Sequence, residues 1–71
     1  MTLTIVEETK DGGYYYLNHS CLNTLSFGAE EMAWWTNDQE KADLMLEKVE
    51  AKHDPDGKST SVYYVDEWSM G

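Results

Sequence analysis

The feature that most constrains the fold of this chain is one segment with helical periodicity. Ala42, Met45, Leu46 and Val49 stand at positions i, i+3, i+4 and i+7, which is one apolar stripe along a helix. A helix with a single apolar stripe must bury that stripe against a second layer of secondary structure. The sequence therefore predicts one amphipathic helix that packs on a layer formed by the rest of the chain.

Capping and helix-breaking residues mark the ends of this segment. Thr36 or Asn37 is the predicted N-cap, with Gln39 or Glu40 three residues later to complete a capping box. The helix cannot continue through Pro55, which lacks a backbone N–H group. We therefore expect a helix that begins just after its cap and ends before this proline.

The segments on either side of the helix have the composition of β-strands. Leu3 and Ile5 alternate with threonines, which predicts a strand of about seven residues. Lys10-Asp11-Gly12-Gly13 is a strong hairpin turn signal, because Asp-Gly and Gly-Gly tolerate positive φ. Residues 14–17, with three tyrosines and a leucine, then form the second strand. The first two strands are expected to pair antiparallel.

The remaining segments complete a small sheet. Residues 24–27 predict a short third strand that ends at Gly28, and residues 59–67 predict the last strand. Between them, residues 29–35 fit a helical turn or an extended segment, with extended structure favoured at residues 33–35. At the C-terminal end, residues 69–71 are expected to fray. The predicted fold class is α+β: an antiparallel sheet of three to four strands with one helix on one face (β-β-(β)-α-β), in a single domain over residues 1–71.

Charge narrows the classes of partner. The chain has 14 acidic residues against 5 lysines and no arginine, for a net charge of −9. Such a charge repels nucleic acid and anionic membranes and favours a basic protein partner, although acidity also serves solubility alone. No segment approaches the roughly 20 apolar residues of a membrane span. With one cysteine and no signal-peptide pattern at the N-terminus, we expect a cytoplasmic protein.

Residues that could support catalysis or metal binding are few. His19, Cys21 and His53 are the candidate metal ligands, and their spacing matches no recurring zinc pattern. His19 is two residues from Cys21, and only a favourable strand or loop geometry would let it act as a base that activates this thiol. The sequence therefore predicts no catalytic residue, no metal site and no cofactor, and a protein that is not an enzyme.

Two surfaces remain as candidates for partner binding. On a helical wheel the acidic residues form a stripe on one side of the helix, and the lysines group on the other. One helix covers one sheet face, so some of the aromatic residues Tyr15, Tyr63, Trp34, Trp35 and Trp68 must lie on the uncovered face or under a partner. The predicted partner-binding residues are Glu40, Asp43, Glu47 and Glu50 on the helix, with Tyr15, Tyr63 and Trp35 on the sheet.

The segment Ala33-Trp34-Trp35-Thr36-Asn37-Asp38, followed by Ala42, resembles many small phage proteins in which an aromatic strand end runs into a short capped helix. Size and acidity also resemble those of phage-encoded inhibitors of host defence, such as anti-CRISPR proteins. The resemblance is in style across most of the chain and assigns no functional residue. It implies an inhibitor that occupies the nucleic-acid site of a host protein or blocks its assembly.

Two alternative functions stay open at this point. The excess of aromatic residues also suits a structural or assembly subunit that forms a homodimer through its sheet face. A small-molecule or metal-binding module would centre on His19, Cys21 and His53.

Overall fold

The helix and the sheet lie in the predicted order along the chain. The computed structural model describes residues 1–68, and the expected fraying of residues 69–71 falls outside that part. The strands pair antiparallel in the order β3-β2-β1-β4, with one helix on one face, which confirms the predicted α+β class. The elements are β1 (Leu3–Glu8), β2 (Tyr14–Leu17), β3 (Phe27–Gly28), α1 (Gln39–His53) and β4 (Val62–Glu67).

The predicted hairpin joins β1 and β2. Gly12 has a φ of 89°, a left-handed conformation that glycine adopts without steric cost. The turn is closed by the N–H of Thr9, which donates to the carbonyl of Gly13 at 2.8 Å. This turn sets the register in which Val6 stands opposite Tyr16.

The N-cap of α1 is Asp38, so the prediction of Thr36 or Asn37 was wrong by one or two residues. The Asp38 carboxylate accepts hydrogen bonds from the backbone amides of Glu40, at 2.9 Å, and Lys41, at 3.4 Å. A carboxylate also interacts favourably with the positive end of the helix dipole. Thr36 instead belongs to the sheet, since its backbone pairs with that of Leu3.

An extended segment after the third strand fills the gap where β1 and β2 diverge. Ala33 pairs with Asn18 just beyond β2, and Thr36 pairs with Leu3 at the start of β1. This confirms the extended structure expected at residues 33–35, while a short 3-10 turn occupies Glu30–Met32. The segment ties both strands to the start of the helix.

The third strand is shorter than predicted, because residues 22–25 form turns rather than strand. Leu25 has a φ of 52°, a left-handed conformation in which it cannot continue a strand. The end of α1 holds this loop: the Nζ of Lys52 donates to the carbonyl of Thr24 at 2.6 Å, and the Nε2 of His53 lies 2.7 Å from the carbonyl oxygen of Leu25. These tertiary contacts override the local strand preference.

The core lies between α1 and the sheet. Ile5, Leu17 and Val49 are completely buried and pack together. Burial of each such side chain contributes about 1.5–3 kcal/mol relative to exposure. Partly buried side chains surround this cluster: Leu22, Leu25, Phe27, Trp34, Met45, Leu46, Tyr63 and Val65.

Candidate functional site

One face of the sheet packs on α1, and the opposite face is not covered by that helix. Ile5, Leu17 and Val65 point toward α1, since they pack with Val49. Side chains alternate along a strand, so the even-numbered residues of β1, β2 and β4 lie on the other side. We call this surface the open face, and it consists of Thr4, Val6, Glu8, Tyr14, Tyr16, Trp35, Val62, Tyr64, Asp66 and Trp68.

Two tryptophans stack at one end of the open face. Thr36 and Trp34 lie on the helix side, and Trp34 packs against the core, so Trp35 between them lies on the open face. Trp68 continues the β1–β4 pairing, because its N–H donates to the carbonyl of Thr2 at 2.8 Å. The two rings stack with centroids 6.4 Å apart and an angle of 13° between their planes.

Tyrosines occupy the centre of the open face. Tyr16 and Tyr64 stand on either side of Val6 in the three-strand register, and Val6 is only 2% exposed. Because α1 lies on the other side of the sheet, we attribute this burial to the flanking aromatic rings. Tyr14 and Trp35 remain exposed, with Trp35 at 43%. The open face is therefore a nearly continuous aromatic surface.

Carboxylates lie among these tyrosines. The hydroxyl of Tyr64 donates to Glu8 at 3.3 Å. The pKa of Tyr16 is raised above its usual value, mainly by burial and to a smaller extent by the charges of Glu30 and Asp66. The pKa of Tyr64 is also raised, mainly by burial and to a smaller extent by the charge of Glu8. The aromatic surface therefore includes carboxylates close enough to act on its tyrosine hydroxyls.

The raised pKa values of three tyrosines predict a loss of stability at alkaline pH. Tyr16, Tyr63 and Tyr64 all have pKa values raised above 10.0 in the folded protein, first by burial. The folded state then holds their protons more tightly than the unfolded state. Their stabilising contribution is complete below pH 10 and is lost as the pH rises through the folded pKa values.

We therefore expect the free energy of unfolding to fall above pH 10, and to fall less in Tyr64→Phe. Urea denaturation on either side of that pH measures the effect. The informative quantity is the difference between the wild type and Tyr64→Phe, because the two proteins differ only in the hydroxyl of this residue. Equal pH slopes in the two proteins would contradict the assignment to Tyr64.

The acidic residues of α1 form a second surface. Glu40, Asp43, Glu47 and Glu50 are all exposed on one flank of the helix. On the other flank, Lys52 contacts the loop at Thr24. Because α1 covers the other side of the sheet, the acidic flank and the open face are separated by the sheet itself.

The structure divides the aromatic residues predicted from sequence between the two sides. Trp35 lies on the open face, whereas Trp34 packs against the core on the helix side. Tyr63 also packs on the helix side, stacked on His53 with centroids 5.6 Å apart, so it is not one of the aromatic residues of the open face. Tyr15 stands opposite Glu7, so its side chain lies on the helix side of the sheet, although the residue is 45% exposed.

Three tyrosines of the open face, Tyr14, Tyr16 and Tyr64, were not among the predicted site residues. The sequence contained a signal for the positions of Tyr14 and Tyr16. Leu17 is the one aliphatic residue of β2 and is expected to face the core, so the alternation of side chains places Tyr14 and Tyr16 on the opposite face. Tyr64 had no such signal. Both faces of β4 carry apolar residues, and only the pairing of Tyr64 with Val6 decides its side.

The candidate metal ligands are not arranged as a site. Within residues 1–68, no group of three or more His, Cys, Asp or Glu side chains is placed to hold a metal ion. His53 instead contacts the loop carbonyl of Leu25 and stacks on Tyr63.

Within residues 1–68, no helix has the length and apolar character needed to cross a membrane.

The fold and this surface define a class: a small α+β domain with an acidic, aromatic-rich sheet face opposite its helix. Neither a protein-family model, nor a curated protein, nor a solved structure matches the chain. No relative therefore assigns a function to the open face, and its own chemistry must indicate one.

Proposed function

We propose that this protein is a protein-interaction module that binds a positively charged partner through the open face, and that it does not act as an enzyme. One observation carries this proposal: aromatic residues and carboxylates share a sheet face that the helix leaves uncovered. Tyr and Trp are enriched at binding hot spots, since each buries a large rigid surface at little cost in conformational entropy.

The charge of the open face supports a basic partner. Glu8 and Asp66 stand among the tyrosines, close enough to act on the Tyr64 hydroxyl. A guanidinium or ammonium group over an aromatic ring gains about 0.5–2 kcal/mol, and neighbouring carboxylates add to this. Phosphate groups would be repelled, so we do not propose direct binding of nucleic acid or of an anionic membrane.

Binding of this kind would block the partner. A basic protein surface that attracts so acidic a domain is commonly one that binds nucleic acid. Occupying that surface would exclude the nucleic acid, which is the action implied by the resemblance to phage-encoded inhibitors of host defence. Such an inhibitor would act in the host cytoplasm, and we include both its viral origin and that location in the proposal.

The acidic flank of α1 has a supporting role in this proposal. Its four carboxylates are exposed and lie on the other side of the sheet from the open face. Exposed charges far from a contact change the rate of association more than they change affinity. We therefore assign steering of the partner to Glu40, Asp43, Glu47 and Glu50, and the contact itself to the open face.

A second candidate is a homodimer through the open face, favoured by the exposure of Val62 at 61%. Packing two copies face to face would bury the carboxylates of Glu8 and Asp66 from both copies in one contact. Like charges in a desolvated contact are strongly unfavourable. We therefore expect a monomer in sedimentation at micromolar concentration, and a stable dimer would favour this second function.

The proposal is tested by affinity capture followed by competition. A protein captured from a lysate of the source cells is purified, and its binding is measured with and without nucleic acid. We expect nucleic acid to displace the domain, and the double change Glu8→Gln with Asp66→Asn to weaken binding at low salt. The matched control reverses charge at Asp43, Glu47 and Glu50, which should mainly slow association. Binding unaffected by nucleic acid, or abolished only by the helix variant, would contradict the proposal.

A further inference from the structure

The two edges of the sheet differ in length. β3 is an edge strand of two residues, whereas β4 is an edge strand of six residues on the other side. An edge strand of that length presents a row of backbone groups that can pair with another chain. β4 is therefore the edge on which an added strand would fit.

The backbone groups of β4 that face outward can be identified from its pairing. Leu3 exchanges both of its backbone hydrogen bonds with Thr36, at 2.8 and 2.9 Å, so its N–H and C=O point away from β4. Two residues that stand opposite each other in an antiparallel pair either both bond to each other through the backbone or both point their N–H and C=O groups away from each other. These two arrangements alternate along the strand. In the observed register the outward groups of β4 are those of Tyr63, Val65 and Glu67.

These outward groups are only partly satisfied. The N–H of Glu67 donates to the side chain of Asp66 at 2.9 Å. Within residues 1–68, no acceptor takes the outward N–H of Tyr63 or Val65. The middle of β4 is therefore open to pairing, while its C-terminal end is capped by an acidic side chain.

Charge identifies the chemistry of the added strand. Asp66, on the open face, and Glu67, on the helix side, are both exposed at the C-terminal end of β4. A second copy of this chain is disfavoured, since each copy has a net charge of −9. Tyr64 and Trp68 flank Asp66 on the open face. A guanidinium both stacks on aromatic rings and pairs with a carboxylate through two hydrogen bonds, whereas an ammonium does so poorly.

We propose that β4 accepts an extended, arginine-bearing segment of the partner as an added strand, with one arginine opposite Asp66. This inference rests on the proposed binding of a basic protein and specifies how that protein is held. Backbone hydrogen bonds to Tyr63 and Val65 supply the pairing, and alternate side chains of the segment reach the open face. An uncharged strand would bring no cation to the carboxylates of Asp66 and Glu67.

Amide hydrogen exchange, followed by NMR, tests this pairing. In the free protein the amides of Tyr63 and Val65 should exchange faster than those of Tyr64 and Asp66, which face β1. The probe is a synthetic peptide that alternates arginine with valine, at low salt. We expect it to slow exchange at Tyr63 and Val65 at least tenfold and to leave the already protected amides of β4 unchanged. The matched control peptide has the same arginines with proline in place of valine, so it keeps the charge but cannot pair.

The outcomes separate the two proposals. If both peptides bind and the amides of Tyr63 and Val65 keep exchanging fast, edge pairing is wrong while binding of a basic partner stands. If neither peptide binds at low salt, the proposed function itself fails. Protection of Tyr63 and Val65 by the alternating peptide alone supports the added strand. Protection by an alternating lysine–valine peptide at equal affinity would overturn the preference for arginine.

Discussion

Ile5→Ala is expected to lower the free energy of unfolding by about 2–5 kcal/mol. Ile5 is completely buried between the sheet and α1, where it packs with Leu17 and Val49. Removing most of its side chain loses the transfer free energy and leaves a cavity. A domain of this size has a stability of only about 4–10 kcal/mol, so the loss is a large fraction of the total.

Urea denaturation followed by tryptophan fluorescence measures this effect as a lower midpoint with an unchanged slope. The matched control is Val62→Ala, which truncates a β-branched residue of the neighbouring strand β4 that lies on the open face and is 61% exposed. We expect the control to change stability by no more than about 0.5 kcal/mol. Equal losses in the two variants would contradict the burial of Ile5 and the exposure of Val62.

Trp35→Ala is expected to weaken binding of the partner by about 2 kcal/mol or more, which is roughly a thirtyfold rise in Kd. Trp35 is exposed on the open face and stacks on Trp68, so a partner on this face would bury a large, rigid ring. Isothermal titration with the captured partner measures the loss.

Tyr15→Ala is the matched control for this prediction. Tyr15 is 45% exposed and Trp35 is 43% exposed, but their side chains lie on opposite sides of the sheet. We expect Tyr15→Ala to leave Kd within about twofold of the wild type, consistent with a residue outside the contact. A larger effect of Tyr15→Ala than of Trp35→Ala would contradict a contact on the open face.

Local signals in the sequence predicted most of the fold. The turn at Gly12 and the apolar stripe of α1 depend on residues within a few positions of one another, and both were confirmed. The N-cap was misplaced because Thr36, a good cap by type, is held by its pairing with Leu3. The third strand was predicted too long because the end of α1 fixes Leu25 in a left-handed conformation. Both errors come from contacts between residues far apart in the chain.

The candidate site was less accessible to prediction for the same reason. A shift of one residue in strand register moves every side chain to the other face. Consecutive aromatic residues in β2 and β4 leave the alternation without a clear apolar side, so Tyr63 and Tyr64 could not be told apart. The segment that places Trp35 on the open face is fixed by two isolated bridges, to Asn18 and to Leu3, which no local pattern indicates.

The chain's three tryptophans allow the most direct test of the central claim, that the open face makes the contact. The indole N–H signals of Trp34, Trp35 and Trp68 are followed by NMR while the captured basic partner is added. Trp34 lies on the helix side against the core and serves as an internal reference. We predict that the signals of Trp35 and Trp68 shift or broaden while that of Trp34 stays in place. Unchanged signals of Trp35 and Trp68, together with shifts of the α1 amides at Asp43 and Glu47, would contradict the claim and place the contact on the helix.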